Sequence, residues 1–351
     1  MAGERILFVV NAGASVGGGH FMRSLNLARA LEAGGATCAF AGPPAVTGLI
    51  ETFASPSLLA ATFADEGLVA GAAGLATGYD AIVFDHYDLV AADHRRIAEG
   101  RPALVVDDLA DRPLAADLLL DAGVTRRAED YAGLVPAHAE LLLGPNHAAL
   151  SPAFATLRGE ALARRAAATQ VERVLVSLGL TDVGGITART VGALLPVLGE
   201  RALDVVVGGQ APSLPTLREI AAVDPRLTLH VDSRDMPRLT ARADLAIGAA
   251  GSSSWERCVL GLPTVSLVLA DNQREAAQAL SDLGAHRSLD GEAVREGLQP
   301  AFLALAEDMH AWREMSAAAA KVCDGLGAQR TAERFIALIS PRFGNNHATL
   351  T

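Results

Sequence analysis

The sequence predicts an α/β protein made of two doubly wound domains that face a central cleft. Short β-rich segments alternate with helical ones along most of the chain, a pattern typical of parallel sheets covered by helices on both faces. The length of 351 residues is too great for one ordinary domain and about right for two. Both halves also open alike, because ILFVV and VLVSL are each followed by a glycine-rich loop and a helical segment.

The first half contains five predicted strands, each a short apolar segment. They cover Arg5–Val10, Thr37–Ala41, Ala81–Asp85, Ala103–Asp107 and Glu140–Leu143. A helix from about His20 to Ala33 has apolar residues at helical spacing and ends at Gly34. The Ala/Arg-rich stretch that follows this half is helical in pattern, from Phe154 to Thr169, and is predicted to be a connector.

A second alternation of strands and helices begins after the connector. Its predicted strands are Arg173–Ser177, Leu203–Val207, Leu227–Val231, Leu245–Gly248 and Thr264–Leu269. The segment from Gly291 to Ser340 is almost wholly helical in pattern. We therefore expect a first domain over residues 1–150, a connector over 151–170, a second domain over 171–325, a C-terminal helix over 326–340 and a tail over 341–351.

The charge and the apolar runs exclude several classes of partner. With 29 basic and 40 acidic residues, the formal net charge is −11, so bulk electrostatics do not favour nucleic acid or an anionic membrane. An anionic ligand must instead be held by local groups. The N-terminal MAGERILFVV lacks the pattern of a signal peptide, and no apolar run is long enough to span a bilayer. The sequence gives no indication of an oligomeric state.

The cysteines indicate a reducing compartment. Cys38, Cys258 and Cys323 are odd in number, far apart and in no paired motif, so a disulfide framework and a metal site are both unexpected. We expect a cytoplasmic protein that uses no metal and no cofactor.

The sharpest local motif is Gly17-Gly18-Gly19-His20, which joins the first strand to the first helix. Glycines let the backbone approach a ligand closely, and a helix start offers free N–H groups to an anion. His20 stands where the loop becomes the helix and is a candidate general base, with Arg23 one turn further on. The alternative is that His20 only caps the loop.

Polar residues follow two buried strands of the first half. Asp85-His86-Tyr87-Asp88 comes directly after AIVF, at a strand end of the kind where open α/β sheets bind ligands. Asp107-Asp108 follows ALVV in the same way. Paired acids can bind Mg²⁺, but a capping role for the next segment fits equally well.

The second half has three motifs of the same kind. Gly251-Ser252-Ser253-Ser254 leads from a strand into a helix, with Glu256 inside its first turn. Backbone N–H groups and hydroxyls there suit an anion, and Glu256 suits vicinal hydroxyls, although a serine cap with a capping-box acid is the alternative. Asn272-Gln273 follows the strand VSLVL and suits sugar hydroxyls and acetamides, or caps a helix. Gly179-Leu180-Thr181-Asp182 opens the second half.

Taken in order, the motifs resemble a known family. They are GGGHFMRSLNLARAL, FDHYDL, VVDDLADR, AEDYAGLVP, LLLGPNHAALSPAF, DMPRLTARADLAIGAAGSSSWERCVLGLPTV and LADNQ. The set resembles the UDP-sugar hydrolases of pseudaminic acid biosynthesis, which are relatives of the MurG-type glycosyltransferases. The resemblance implies a GT-B fold of two Rossmann-like domains. It also implies metal-independent, inverting hydrolysis of UDP-2,4-diacetamido-2,4,6-trideoxy-β-L-altropyranose to UDP and the free sugar, a step on the way to glycosylated flagellin.

The resemblance also implies roles for individual residues. His20 is the expected base that activates water, and Tyr87 is expected near the reacting sugar. Glu256 is expected at the ribose, Ser252 and Ser253 near the diphosphate, and Asn272 with Gln273 at the sugar or phosphate. The complete set of predicted substrate-binding residues is Gly18, Gly19, Arg23, Asp85, His86, Thr181, Gly251, Ser252, Ser253, Glu256, Asn272 and Gln273.

The chain departs from the family pattern at the expected cleft. Val9 and Asn11 stand where the family usually has an R-x-D pattern, and Leu180 replaces a glycine of G-G-T-D. Three hypotheses therefore follow: a UDP-sugar hydrolase, a glycosyltransferase of the same fold that uses a UDP-sugar donor, and a non-catalytic nucleotide-sugar binding protein.

Overall fold

The computed structural model describes residues 3–13 and 18–340. The first half forms a seven-stranded parallel sheet in the order β3-β2-β1-β4-β5-β6-β7. Its strands are β1 (Arg5–Val10), β2 (Thr37–Gly42), β3 (Leu59–Thr62), β4 (Ala81–Asp85), β5 (Ala103–Val106), β6 (Leu118–Asp121) and β7 (Glu140–Leu143). Its helices are α1 (Gly19–Ala33), α2 (Ala45–Phe53), α3 (Asp65–Ala76) and α4 (Ala91–Ala98).

The second half forms a six-stranded parallel sheet in the order β10-β9-β8-β11-β12-β13. Its strands are β8 (Arg173–Ser177), β9 (Ala202–Val207), β10 (Leu227–Val231), β11 (Leu245–Ala249), β12 (Thr264–Val268) and β13 (Arg287–Asp290). Its helices are α6 (Ile186–Leu194), α7 (Leu214–Val223), α8 (Met236–Arg242), α9 (Ser253–Val259), α10 (Arg274–Asp282), α11 (Val294–Ala306) and α12 (Met309–Ala320).

Two helices join the halves. The connector α5 (Pro152–Ala167) is fixed to the second half by Arg165, which is 1% exposed and donates to the carbonyl groups of Thr240 and Leu260. The last helix, α13 (Gly327–Ile339), returns to the first half and packs against α1, where Phe335 enters the same apolar cluster as Phe21. The predicted tail over 341–351 lies outside the described residues, as does Gly17 of the glycine motif.

Each sheet is covered by apolar side chains on both faces. Alternate residues of β1 belong to different clusters: Ile6, Phe8 and Val10 lie in the cluster beneath α1, and Leu7 and Val9 lie in the cluster beneath α3 and α4. This is why the buried strands are continuous apolar segments rather than alternating ones. The predicted fold class, two doubly wound α/β units, is confirmed by the two sheets.

Three strands were not predicted from the sequence. β3 (LAAT) and β13 (RSLD) are four-residue edge strands whose side chains are only half-buried or exposed. β6 (LLLD) is a fully buried four-residue strand. It lies in a longer segment in which apolar and polar residues alternate with neither the strand nor the helix period. The sheets therefore have seven and six strands rather than five each. The predicted boundaries of the other strands and of α1 and α5 differ from the structure by no more than two residues.

The strand order locates one candidate crevice in each sheet. It reverses between β1 and β4 in the first sheet and between β8 and β11 in the second. Crevices at such reversals, at the carboxyl ends of the strands, are where open α/β sheets bind ligands. Among the described residues, no helix is both long and apolar enough to cross a membrane.

Candidate active site

The first crevice brings α1 and the end of β4 together. Val10 of β1 pairs with Asp85 of β4, and the Asn11 amide donates to the Asp85 carbonyl at 2.9 Å. The side chain of His20, in the first turn of α1, therefore lies over the end of β4. The two residues are 65 positions apart in the sequence and meet only because β1 and β4 are neighbours.

His20 and Asp85 form a buried pair. His20 Nδ1 lies 2.5 Å from Asp85 Oδ1, and the residues are 5% and 0% exposed. A carboxylate at Nδ1 fixes the neutral imidazole as the Nδ1–H tautomer, because the carboxylate can only accept. Nε2 is then left with a free lone pair. This is the arrangement that a general base requires.

Asp85 is also the partner of Arg23 and Ser24. Arg23 donates to both carboxylate oxygens of Asp85, from Nε at 2.8 Å and from Nη2 at 2.6 Å, and Ser24 Oγ donates at 2.9 Å. Burial alone would raise the pKa of Asp85, but Arg23 and His20 outweigh burial and hold that pKa well below its ordinary value. Asp85 is therefore ionised beside His20.

Asp108 and Tyr87 complete this cluster. Arg23 Nη1 donates to Asp108 Oδ2 at 2.8 Å, and the Tyr87 hydroxyl donates to Asp108 Oδ1 at 2.6 Å. The Tyr87 ring meets the His20 ring edge to face, with centroids 4.3 Å apart. Burial together with Asp108 raises the pKa of the Tyr87 phenol. We call His20, Arg23, Asp85, Tyr87 and Asp108 the histidine cluster.

Asp108 was not selected from the sequence. The paired acids Asp107 and Asp108 looked equally suited to a cation or to a cap. The structure separates them: Asp107 is 1% exposed and binds Arg112 and Tyr131 away from the cluster, whereas Asp108 faces Arg23 and Tyr87. The usable signal was that both acids directly follow β5, the strand next to β4.

His86 is held differently from its neighbours in the motif. Its Nδ1 accepts from the Asp88 amide at 3.2 Å, its side chain is 7% exposed, and burial lowers its pKa. No hydrogen bond among the described residues joins the His86 ring to the histidine cluster. Its predicted part in substrate binding stays a prediction.

The second half places its serine loop directly opposite α1. An ideal Cβ built on Gly19 would lie 3.5 Å from Ser252 Oγ, and one built on Gly18 would lie 3.0 Å from Leu180 Cδ1. The glycine loop and the serine loop therefore approach each other across the cleft. An added Cβ would crowd Leu180 at Gly18, whereas at Gly19 it would make an ordinary contact with Ser252 Oγ. Leu180, the departure from the family pattern, fills the space beside Gly18.

Arg257 supports the serine loop from beneath, and no motif of the sequence marks it as a site residue. It is 3% exposed, and it donates to the Ala249 carbonyl at 2.7 Å and to Ser253 Oγ at 3.0 Å. Since Ser253 Oγ accepts this bond, its own hydrogen is free to point elsewhere. Burial raises the pKa of the neighbouring Glu256 carboxyl to about 7, although Arg257 lowers it.

The remaining predicted residues lie at the rim. Gln273 Oε1 accepts from the Leu269 amide at 2.9 Å, and an ideal Cβ on Gly251 would lie 3.5 Å from Gln273 Nε2. Gln273 therefore fixes its own loop and also borders the serine loop. Asn272 is exposed and Thr181 is half-buried. Among residues 3–13 and 18–340, no group of three or more His, Cys, Asp or Glu side chains is arranged to hold a metal ion.

Sequence comparison with known proteins gives distant relatives. Residues 224–333 match the glycosyltransferase family 28 C-terminal domain. The chain is 27% identical to the spore coat polysaccharide biosynthesis protein SpsG of Bacillus subtilis over 154 residues, 43% of this chain and 44% of SpsG. It is 23% identical to the UDP-2,4-diacetamido-2,4,6-trideoxy-β-L-altropyranose hydrolase of Campylobacter jejuni over 208 residues, 59% of this chain and 72% of the hydrolase. The match thus spans less than half the length of SpsG.

Comparison with solved structures identifies the architecture. MurG of Acinetobacter baumannii superposes with a TM-score of 0.65 at 17% identity, and the match covers 95% of this chain and 99% of MurG. At this identity the likeness establishes the fold and not the reaction. The chain therefore has the GT-B-like fold of two Rossmann-like domains, and its C-terminal part matches the glycosyltransferase family 28 C-terminal domain.

Proposed function

We propose that this protein is a UDP-sugar hydrolase whose base is His20, acting on UDP-2,4-diacetamido-2,4,6-trideoxy-β-L-altropyranose. The observation that carries the proposal is the buried His20–Asp85 pair, 2.5 Å long, at the point where the glycine loop meets the serine loop. The similarity to the Campylobacter jejuni hydrolase supports the choice of substrate.

The proposed reaction needs one proton acceptor and one leaving group. His20 Nε2 takes a proton from water, and the water oxygen attacks the anomeric carbon on the face opposite the diphosphate. The bond between that carbon and the β-phosphate oxygen breaks, UDP leaves with the bonding electrons, and the configuration inverts. Asp85 stabilises the imidazolium that forms, because it is ionised and bonded to Nδ1.

The second half supplies the proposed nucleotide contacts. Ser252 faces the glycine loop, and Ser253 has its hydroxyl hydrogen free because Arg257 donates to its oxygen. Both hydroxyls suit diphosphate oxygens. Glu256 lies one turn along α9 and suits the ribose, because a carboxylate can accept a hydrogen bond from each of the two ribose hydroxyls.

A glycosyltransferase is the second candidate, and the family 28 domain supports it to the same degree. In that reaction an acceptor hydroxyl takes the place of water, and His20 serves as the base in the same way. The two candidates differ in one observable: a hydrolase releases UDP when water is the sole nucleophile present.

The test uses the UDP-linked diacetamido sugar, ¹⁸O-labelled water and no acceptor, with both products weighed by mass spectrometry. We expect UDP release and label in the free sugar. Label in UDP would show attack at phosphorus and overturn the mechanism. UDP binding without UDP release would favour the transferase or a binding protein.

Replacement of the base tests its role directly. His20→Ala is expected to lower kcat by about 10²-fold or more, since a positioned general base contributes at least that much. The control is His138→Ala, because His138 lies in the same half with its side chain 68% exposed. A His20→Ala variant with the kcat of the wild type would remove His20 as the base.

A further inference from the structure

The Tyr87 hydroxyl has a single hydrogen, and the structure shows where that hydrogen goes. Tyr87 Oη lies 2.6 Å from Asp108 Oδ1, a short distance typical of a hydroxyl that donates to a carboxylate. An ionised carboxylate can only accept hydrogen bonds. If Asp108 is ionised, the Tyr87 oxygen therefore presents lone pairs alone to the cleft.

Arg23 keeps Asp108 ionised, and Arg126 holds its backbone in place. Arg23 Nη1 donates to its second carboxylate oxygen at 2.8 Å, and Arg126 Nη2 donates to its backbone carbonyl at 2.8 Å. Arg126 is itself fixed by Asp121, at 2.7 Å. Although burial acts in the opposite direction, Arg23 and the Tyr87 hydroxyl lower the pKa of Asp108.

We propose that Asp108 is a positioning residue that makes Tyr87 a hydrogen-bond acceptor, so that the cleft selects a sugar with an N–H or O–H donor facing Tyr87. The proposal rests on the proposed function for the identity of the ligand. The Tyr87 and His20 rings are in T-shaped contact, with centroids 4.3 Å apart, so a donor bound to Tyr87 is expected close to the proposed base. The histidine cluster would thus both recognise the sugar, through Tyr87, and supply the base, His20.

The selection follows from the cost of an unpaired acceptor. A sugar that lacks the donor leaves the Tyr87 lone pairs desolvated and without a partner. A sugar that offers only an acceptor at this point is repelled, because its lone pairs face the lone pairs of the Tyr87 oxygen. Without the Asp108 carboxylate, the Tyr87 hydroxyl is free to turn its hydrogen towards the sugar, and this discrimination disappears.

The experiment compares sugars that differ by one donor. The probes are the UDP-linked diacetamido sugar, its two analogues in which one acetamido group is replaced by an acetate ester, and its 3-deoxy analogue. An ester keeps the carbonyl and methyl groups and replaces only the N–H group by an oxygen, which cannot donate. The readout is the ratio of kcat/KM between the parent sugar and each analogue, or the ratio of Kd values if no UDP is released. The test therefore stands even if the hydrolase reaction does not.

The wild type is expected to prefer the parent over one analogue by about tenfold or more, the worth of one buried hydrogen bond. In Asp108→Asn and in Tyr87→Phe that ratio falls towards one. The double variant has the same ratio as the single variants, because the two residues act as one unit. The matched control is Asp111→Asn, since Asp111 lies on the same loop, is 59% exposed and pairs with Arg112 at 3.2 Å. That variant should keep the wild-type ratio.

A second measurement reports on Tyr87 without any sugar. The chain has three tyrosines, so ¹³Cζ-labelled tyrosine gives three NMR signals, and Tyr87→Phe assigns one of them. The Tyr87 signal should move towards that of an ordinary hydrated tyrosine in Asp108→Asn. The proposal is overturned by an unmoved Tyr87 signal in a folded Asp108→Asn variant. It is equally overturned by a wild type that binds all four sugars alike, or by an Asp108→Asn variant that retains the wild-type preference.

Discussion

Asp85 is the residue on which the histidine cluster depends. It is fully buried, it ends β4, and it accepts from His20, Arg23 and Ser24. A carboxylate in this position fixes the tautomer of His20 and stabilises its charged form, two effects that the ring cannot achieve alone. Its contribution to the proposed reaction is therefore made through His20.

We expect Asp85→Asn to lower kcat by about 10²-fold or more and to leave the Kd for UDP nearly unchanged. An amide can donate to Nδ1 and so stabilise the wrong tautomer, whereas the proposed nucleotide contacts come from the second half. Steady-state kinetics and calorimetry with UDP measure the two effects. Ser24→Ala is the control, because it removes a 2.9 Å bond to the same carboxylate and leaves the charge. Equal losses in kcat and in UDP affinity would contradict this role.

The single residues show where sequence reasoning stops. Asp85 and Tyr87 stand at the end of β4, and His20 stands where the glycine loop becomes α1. These positions, together with the resemblance of the motifs, made them candidates. The proposed role of Asp108 depends on its contacts with Tyr87, 21 positions away, and Arg23, 85 positions away, and no local pattern contains that information. The role of Arg257 has no local pattern either, because its partners are the backbone and the hydroxyl groups of a loop that folds over it.

At the scale of elements, α4 carries a histidine that is held neutral. His94 is fully buried, its ring stacks on Phe84 of β4 with centroids 4.4 Å apart, and its Nδ1 accepts from the Ala115 amide at 3.3 Å. Burial, with a smaller contribution from Arg112, lowers the pKa of His94 to about 4. The contact of α4 with the sheet therefore depends on an uncharged ring.

The contribution of His94 to the free energy of unfolding should fall as the pH drops from ~6.5 to about 4. An unfolded histidine titrates at ~6.5, so over this range the unfolded chain binds the extra proton and is favoured. At pH 5 the cost is roughly 2 kcal/mol for this one group. Urea unfolding at pH 7 and pH 5 measures it. His94→Gln should reduce the difference between the two pH values by about that amount, and His138→Gln, at an exposed site, should not. If His94→Gln keeps the full difference, the acid sensitivity originates elsewhere.

Elements were predictable to the extent that burial gives them a pattern. β1, β4, β8 and β11 are continuous apolar strands followed by polar loops, and each was located correctly to within a residue. The edge strands β3 and β13 have no such pattern. Their side chains are only half-buried or exposed, so their sequences need not be continuously apolar. Their existence depends on the neighbour with which they pair, which is a property of the sheet and not of the segment.

At the scale of the whole molecule, the chain passes between the halves twice, and the two passages touch. Gly325 has a φ of +85°, and an ideal Cβ on it would lie 3.3 Å from the Ala155 amide nitrogen at the start of α5. An ideal Cβ on Gly327, at the start of α13, would lie 2.4 Å from the Ala148 carbonyl oxygen. Two glycines thus allow the outgoing and returning segments to lie side by side.

Gly327→Ala should lower the free energy of unfolding by about 1–3 kcal/mol, because the new methyl group meets backbone that cannot yield. The matched control is Gly159→Ala in α5, where an added Cβ has no neighbour within 4 Å. That control should stabilise the protein by up to about 1 kcal/mol, since alanine favours a helix over glycine. Urea denaturation of both variants measures the difference. Two variants of equal stability would show that the contact between the passages is dispensable.

The charges of the histidine cluster have a consequence for each catalytic cycle. Asp85 and Asp108 carry two negative charges against the one positive charge of Arg23, so the cluster is an anion while His20 is neutral. In the proposed reaction His20 takes up one proton and the cluster becomes electrically neutral. It must then pass that proton to solvent before the next turnover. In the proposed cycle the cluster is thus a temporary proton store whose charge alternates once per turnover, and the change is confined to a single imidazole ring.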